Sequence, residues 1–252
     1  MIDKIQKHLT QIEQDKDVRI LFAVEAGSRA WGFASPDSDY DIRFIYVKPR
    51  ERYLKAVGDK KDTIERTVDD LDFAGWDILK ALSLANKSNP NLMEWLYSPI
   101  IYRVTDFYQE LMYNMIYNYS QKALVYHYGS LAKRTWHEHL QEENAPLKKY
   151  FYALRPVICV MHLQQEGYYP PVEFDALIKD KKFEPDLAYE IKLLLEKKKE
   201  SSEYTISDLD LTNVREFICH WMYYYKEVAD TMPARNPDTE ILNELGVRTI
   251  LS

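Results

Sequence analysis

Apolar residues recur at two different periods along this chain, and the change of period divides it. Ile2, Ile5, Leu9 and Ile12 fall at helical spacing among polar neighbours, which predicts a helix over residues 2–14 lying on one face of a sheet. The run Val18 to Val24 is short, apolar and partly β-branched, as a buried strand is. A second strand is predicted from Asp41 to Val47, closed by Lys48-Pro49-Arg50, because proline cannot donate to a ladder. Residues 62–76 read as a hairpin: Thr63 to Val68 extended, Asp69-Asp70 at the turn, then Leu71 to Trp76 with Asp72 between apolar neighbours. Asp77 is placed at the start of a helix through Ala85, Asn91 with Glu94 at the cap of a short helix ending at Leu96, and residues 99–103 as an edge strand.

From about residue 105 apolar positions fall at intervals of three and four, and strand-like alternation disappears. Helices are predicted at 106–119, 121–142, 146–166, 184–199 and 207–230, with a short one near 238–245. The pattern is α+β: a mixed α/β domain over residues 1–104, then an all-helical domain over 105–252. Pro170-Pro171 and Ser201-Ser202 mark loops, and Lys197-Lys198-Lys199 is expected at a solvated helix end.

With 252 residues and 46% hydrophobic content, the chain can bury a real core. It carries no long uncharged apolar run and no charged-then-apolar leader at Met1, so a cytoplasmic protein with no membrane partner is expected. Cys159 and Cys219 sit singly in apolar helical runs, which indicates neither a disulfide framework nor a zinc site. A net charge of −7 argues against extended duplex binding, which depends on many Lys and Arg contacts to phosphate. Among the 20 tyrosines and 5 tryptophans most are expected in the core, though aromatic faces can also stack on nucleobases.

Chemistry concentrates in Ala26-Gly27-Ser28-Arg29-Ala30-Trp31-Gly32 and Asp37-Ser38-Asp39-Tyr40-Asp41. Side chains alternate along a strand, so Asp39, Asp41 and Arg43 share one face if the strand begins at residue 39. Two carboxylates on one rigid face are suited to a hard divalent cation, and a third from a neighbouring strand would complete the set. Asp72 is the candidate for that third acid, with Asp77 in reserve. Gly27 lets the backbone approach closely, Ser28 adds a hydroxyl and an amide for a phosphate, and Arg29 and Arg43 add positive charge.

Three other motifs fail at fixed positions. Gly27 to Gly32 has P-loop spacing, but Phe33-Ala34 stands where Lys-Ser/Thr is required. Asp37-x-Asp39-x-Asp41 opens like an EF-hand loop, yet Ile42 replaces its glycine and Lys48 its closing glutamate. His137-Glu138-His139 lacks the spacing of a zinc helix.

Gly27-Ser28 followed by Asp39-x-Asp41 resembles the signature of the DNA polymerase beta-like nucleotidyltransferase superfamily. The wording is closer still to its RlaP/YcgL group, through Gly27-Ser28-Arg29-Ala30-Trp31-Gly32, Ser35-Pro36-Asp37-Ser38-Asp39-Tyr40-Asp41, Gly75-Trp76-Asp77, Asn89-Pro90-Asn91, Glu94-Trp95-Leu96 and Tyr152-Ala153-Leu154-Arg155-Pro156. The resemblance implies a palm-like nucleotidyltransferase domain followed by a helical domain, with the nucleotide bound between them. It implies Mg²⁺- or Mn²⁺-dependent transfer of a nucleoside monophosphate from an NTP to a hydroxyl of an RNA end, a small molecule or a protein. Asp39 and Asp41 would hold the metals, and Asp72 would aid activation of the acceptor. In the helical half, Lys149, Tyr152 and Arg155 lie at helical neighbour spacing and look like a triphosphate or base contact. The alternative class is a non-catalytic nucleotide-binding module, such as an antitoxin-like partner, that keeps the cradle without turnover.

Overall fold

The structure is a computed structural model that describes residues 1–57, 61–142, 145–202, 205–233, 235 and 237–252. In chain order its first elements are α1 (Ile2–Lys16), β1 (Arg19–Ala26), α2 (Gly27–Ala30), β2 (Tyr40–Val47), α3 (Arg50–Tyr53), β3 (Thr63–Val68) and β4 (Leu71–Asp77). There follow α4 (Ile78–Asn86), α5 (Pro90–Leu96), β5 (Ile101–Val104), α6 (Asp106–Tyr117) and α7 (Gln121–His139). The last are α8 (Leu147–Glu166), α9 (Phe174–Ile178), α10 (Pro185–Glu200), α11 (Thr212–Thr231) and α12 (Thr239–Leu251). They form two compact units. Unit 1 comprises Met1–Ala30, Asp39–Tyr119 and Arg235–Ser252, and unit 2 comprises Trp31–Ser38 and Ser120–Ala234.

Unit 1 is built on a five-stranded mixed sheet in the order β3-β4-β2-β1-β5. The pair β2/β4 is parallel, and the other three pairs are antiparallel. The apolar stripe of α1 is what joins it to this sheet: Ile5, Leu9 and Ile12 are buried in one core cluster with Ile20, Ala23, Ile42, Phe44, Tyr46, Ile64, Leu71 and Phe73. Each such side chain contributes about 1.5–3 kcal/mol by leaving water. An irregularity between Ile20 and Phe22 puts Ile20 and Ala23 on the α1 face. Phe22 stacks instead on Tyr108 of α6, with centroids 4.5 Å apart and rings 17° from parallel. Gly75 faces Phe44 in the parallel register, where a Cβ would lie 2.1 Å from the ring, so only glycine leaves room for it.

The boundary expected at Val104 falls inside unit 1, because α6 packs on β1, and α12 returns to pack against α4 and α6. The cap of α5 also differs from the sequence reading. Asn89, not Asn91, is the N-cap, its side chain accepting from the Leu92 amide at 3.1 Å, with Pro90 in the first turn where its missing N–H costs nothing.

In unit 2, α8 packs against α7, and α11 against both. Gly129 of α7 makes the crossing close, since a Cβ there would lie 2.1 Å from the Tyr225 ring of α11. The segment Trp31–Ser38 contributes to this unit: Phe33 stacks on Phe151 at 4.3 Å and meets the edge of Phe174 at 5.8 Å. The lysine run at the end of α10 is not wholly solvated. Lys198 is only 1% exposed and its ammonium donates to Ser35 Oγ, while Lys197 and Lys199 face Asp208 and Asp175. Among the described residues no helix is long and apolar enough to cross a membrane.

Candidate active site

The strand β1 ends where its backbone must turn, and the turn is made by Gly27 at φ +61°, opening the single turn α2. That glycine lies against β2: a Cβ on it would sit 2.2 Å from Asp41 Oδ2 and 3.1 Å from Asp41 Cγ. The main chain of the Gly27-Ser28 loop and the Asp41 carboxylate are therefore neighbours, as the sequence spacing suggested. Ser28 follows in α2, half-buried. Arg29 turns toward the start of β2, where its Nε donates to the Asp39 carbonyl at 3.1 Å and its guanidinium carbon lies 3.6 Å over the Tyr40 ring.

Asp39 is exposed and precedes β2, which begins at Tyr40. Asp41 is in the strand, directly across from Asp72 in the parallel pair β2/β4. The two carboxylates converge on one nitrogen: Arg43 Nη2 is 2.6 Å from Asp41 Oδ1 and 2.9 Å from Asp72 Oδ2. The neighbouring strand adds the Thr67 hydroxyl, 3.5 Å from Asp72 Oδ1.

Asp77, the acid held in reserve, is at the other end of β4, five residues or roughly 17 Å along the strand. It is 3% exposed and caps α4, accepting from the Leu79 amide at 3.0 Å and from the Tyr53 hydroxyl at 3.0 Å, with the Lys48 ammonium at 3.4 Å. Its burial is matched by partners, which is the requirement for a carboxylate inside a protein. Of the two acids, Asp72 is the one beside Asp41.

Sequence pattern did not single out Glu25 and Tyr102. Glu25 is fully buried in β1; its Oε1 accepts from the Asp41 amide at 2.7 Å, and its Oε2 accepts from the Tyr102 hydroxyl of β5. Burial pushes the Glu25 carboxyl above its ordinary range, and the two donors partly oppose that. The available signal was a carboxylate at the end of the apolar run Ile20 to Val24, two residues before the glycine.

The three residues expected to contact nucleotide from the helical half lie in α8, within unit 2; Tyr152 and Arg155 meet Trp31, and Lys149 lies over the Tyr152 ring. The edge of Tyr152 meets Trp31 at 5.6 Å, and the Lys148 and Lys149 ammoniums lie 5.5 and 5.8 Å from the Tyr152 ring. Lys149 Nζ is also 3.0 Å from His139 Nε2. Arg155 is 3% exposed, donates from Nη2 to the Val172 carbonyl at 3.3 Å, and holds its guanidinium carbon 4.8 Å from the Trp31 ring.

Among the described residues, no three His, Cys, Asp or Glu side chains form a ready-made cation cage. The donor set of Asp41 and Asp72 still fits a divalent cation: both present carboxylate oxygens from rigid, register-paired strands toward one positive centre, the Arg43 guanidinium.

A mixed sheet with a Gly-Ser turn packed against the second acid of an Asp-x-Asp strand is the arrangement that the resemblance to polymerase beta-type nucleotidyltransferases implies. The chain belongs to the RlaP family, described as the RNA repair pathway DNA polymerase beta family, whose profile it matches over residues 1–248. It is 38% identical to the protein YcgL of Bacillus subtilis (strain 168) over 253 residues, spanning 99% of this chain and 96% of that one. It is also similar to the solved nucleotidyltransferase-like protein from Exiguobacterium sibiricum 255-15, at 12% identity and a TM-score of 0.29, over 90% of this chain and 75% of the other.

Proposed function

We propose that this protein transfers a nucleoside monophosphate from an NTP to a hydroxyl acceptor and releases pyrophosphate, using the site at the start of β2 and β4. The observation that carries the reading is the convergence of Asp41 and Asp72 on one cation, with the Gly27 main chain against Asp41 Oδ2. Asp39, Asp41 and Asp72 would hold Mg²⁺ or Mn²⁺. When bound, the metal supplies charge neutralisation for the triphosphate and alignment of the attacking and leaving oxygens.

The chain's own residues do the rest. Gly27 and Ser28 would bring main-chain and hydroxyl donors to the phosphates beside Asp41. Glu25 fixes the Asp41 main chain through its amide. Asp72 accepts the acceptor's hydroxyl proton as the acceptor oxygen bonds to the α-phosphorus and the bond from that phosphorus to the pyrophosphate oxygen breaks. The family's description as an RNA repair pathway favours an RNA end as the acceptor.

Labelled NTPs incubated with the protein, Mg²⁺ and RNA, protein or metabolite fractions test this reading. Asp39→Ala and Asp41→Ala are expected to abolish transfer while the protein stays folded. Undiminished transfer by either folded variant sinks the assignment, and NTP binding without pyrophosphate release points to the non-catalytic module.

A further inference from the structure

The two acids of the candidate site are already bridged by a cation that belongs to the chain. Arg43 stands two residues after Asp41 on the same face of β2, and its Nη2 reaches Asp41 Oδ1 at 2.6 Å and Asp72 Oδ2 at 2.9 Å. Its Nη1 donates to the main-chain carbonyls of Asp72 at 3.1 Å and Ile42 at 3.4 Å, so the fork is anchored to both strands. The Arg43 side chain is 19% exposed, against 31% and 41% for the two acids. It is thus the more enclosed partner, and it cannot shed its charge by losing a proton.

These oxygens are the ones a divalent cation would need. A carboxylate oxygen at 2.6 Å from a guanidinium nitrogen directs its lone pair at that N–H, and a second full positive charge beside the guanidinium is repelled. We propose that Arg43 is the built-in counter-cation of this site: it holds Asp41 and Asp72 together in the metal-free protein, competes with the divalent cation for their oxygens, and is displaced when that cation enters. The inference rests on the reading of Asp41 and Asp72 as metal-holding residues. Arg43 is on this account a positioning residue that sets cation affinity, and it is distinct from the acids that would do the binding.

The test is Mn²⁺ binding to the full chain without nucleotide, followed by electron paramagnetic resonance of free Mn²⁺, together with thermal melts. Arg43→Gln is expected to bind Mn²⁺ about tenfold more tightly than the wild type, since a unit charge within 4–6 Å moves an ionic equilibrium by about that much or more. The metal-free Arg43→Gln protein is expected to melt lower, because two carboxylates then face each other unneutralised, and Mn²⁺ is expected to restore it. Arg43→Lys keeps the charge but not the fork; it carries the measurement if the Gln variant does not fold, and is expected to bind Mn²⁺ more tightly than the wild type by a smaller factor.

Variants that bind Mn²⁺ as weakly as the wild type, or more weakly, overturn the inference while leaving the metal site itself standing. If neither the wild type nor any folded Arg43 variant binds Mn²⁺, with or without an NTP, the metal reading of Asp41 and Asp72 falls and this inference falls with it.

Discussion

Gly27 and Asp41 meet in a contact that only a glycine permits, since a methyl carbon on Gly27 would lie 2.2 Å from Asp41 Oδ2. The φ of +61° at Gly27 adds a backbone conformation that costs an L side chain about 1–2 kcal/mol. Gly27→Ala should push the carboxylate aside and lower nucleotidyl transfer by about 100-fold, the usual consequence of a displacement of about 1 Å in a catalytic group. Initial rates with labelled NTP, beside a thermal melt showing a folded variant, check this. A folded variant with wild-type rates would mean that Asp41 need not stay where it is.

Glu25 makes the stability of unit 1 depend on pH. Burial raises its folded-state pKa above the ordinary 4.5. As pH rises past 4.5 the unfolded chain releases this proton first, so the stabilisation present at lower pH is lost as pH climbs through the folded value. Glu25→Gln, which keeps an acceptor for the Asp41 amide and carries no charge, should flatten that part of the melting-temperature curve as pH rises above 4.5. Glu25→Ala removes the acceptor of both the Asp41 amide and the Tyr102 hydroxyl, and should cost about 1–3 kcal/mol for each. A Gln variant that keeps the wild-type slope would show that another group is responsible.

His162 works in the opposite direction in unit 2. It is 4% exposed, and neither ring nitrogen has a hydrogen-bond partner among the described residues. Burial, with the Lys181 charge second, pushes its pKa down from 6.5 to about 4. Below 6.5 the unfolded chain takes up a proton that the folded one refuses, so stability falls with pH across that window, by up to about 3 kcal/mol. His162→Leu removes this liability. Its advantage over the wild type in chemical denaturation should widen from pH 8 to pH 5, and an advantage independent of pH would refute the account.

Glu190 of α10 caps α11 from outside, beyond the Thr212 amide that Asp210 Oδ1 accepts from at 3.2 Å. Its Oε1 accepts from the Asn213 amide at 3.2 Å and from Asn213 Nδ2 at 2.5 Å, and its Oε2 accepts from the Val214 amide at 2.8 Å. Those amides are the orphan donors of the helix start. Glu190→Ala should cost about 2 kcal/mol and Glu190→Gln less, read from urea unfolding. Equal stability of all three proteins would show that solvent satisfies these amides as well.

The elements themselves were legible in the sequence, because helical and strand periods are local properties. The hairpin β3/β4 is an example: Thr63 to Val68 and Leu71 to Trp76 alternate across Asp69-Asp70, and Asp69 takes the positive φ of a turn. Gly27-Ser28 and Asp39-x-Asp41 were legible for the same reason, since a tight turn and an acidic strand start need particular residue types at fixed spacing. The lysine run was misread because a charge on a helix end looks alike from the sequence whether it meets water or, as Lys198 does, the Ser35 hydroxyl.

What the sequence by itself determined is thus the local half of the site: a glycine turn, an acidic strand, and two acids, Asp72 within a later strand and Asp77 at the start of the helix that follows it. Only the tertiary structure shows which of those acids lies beside Asp41. The parallel register of β2 with β4 sets Asp72 across from Asp41 and carries Asp77 to the far end, where it caps a helix. The same pairing closes Arg43 between two carboxylates, and the meeting of β1, β2 and β5 buries Glu25 under the Asp41 amide. Register between strands distant in the chain is set by which faces can be buried together, and that is decided only when the whole sheet forms.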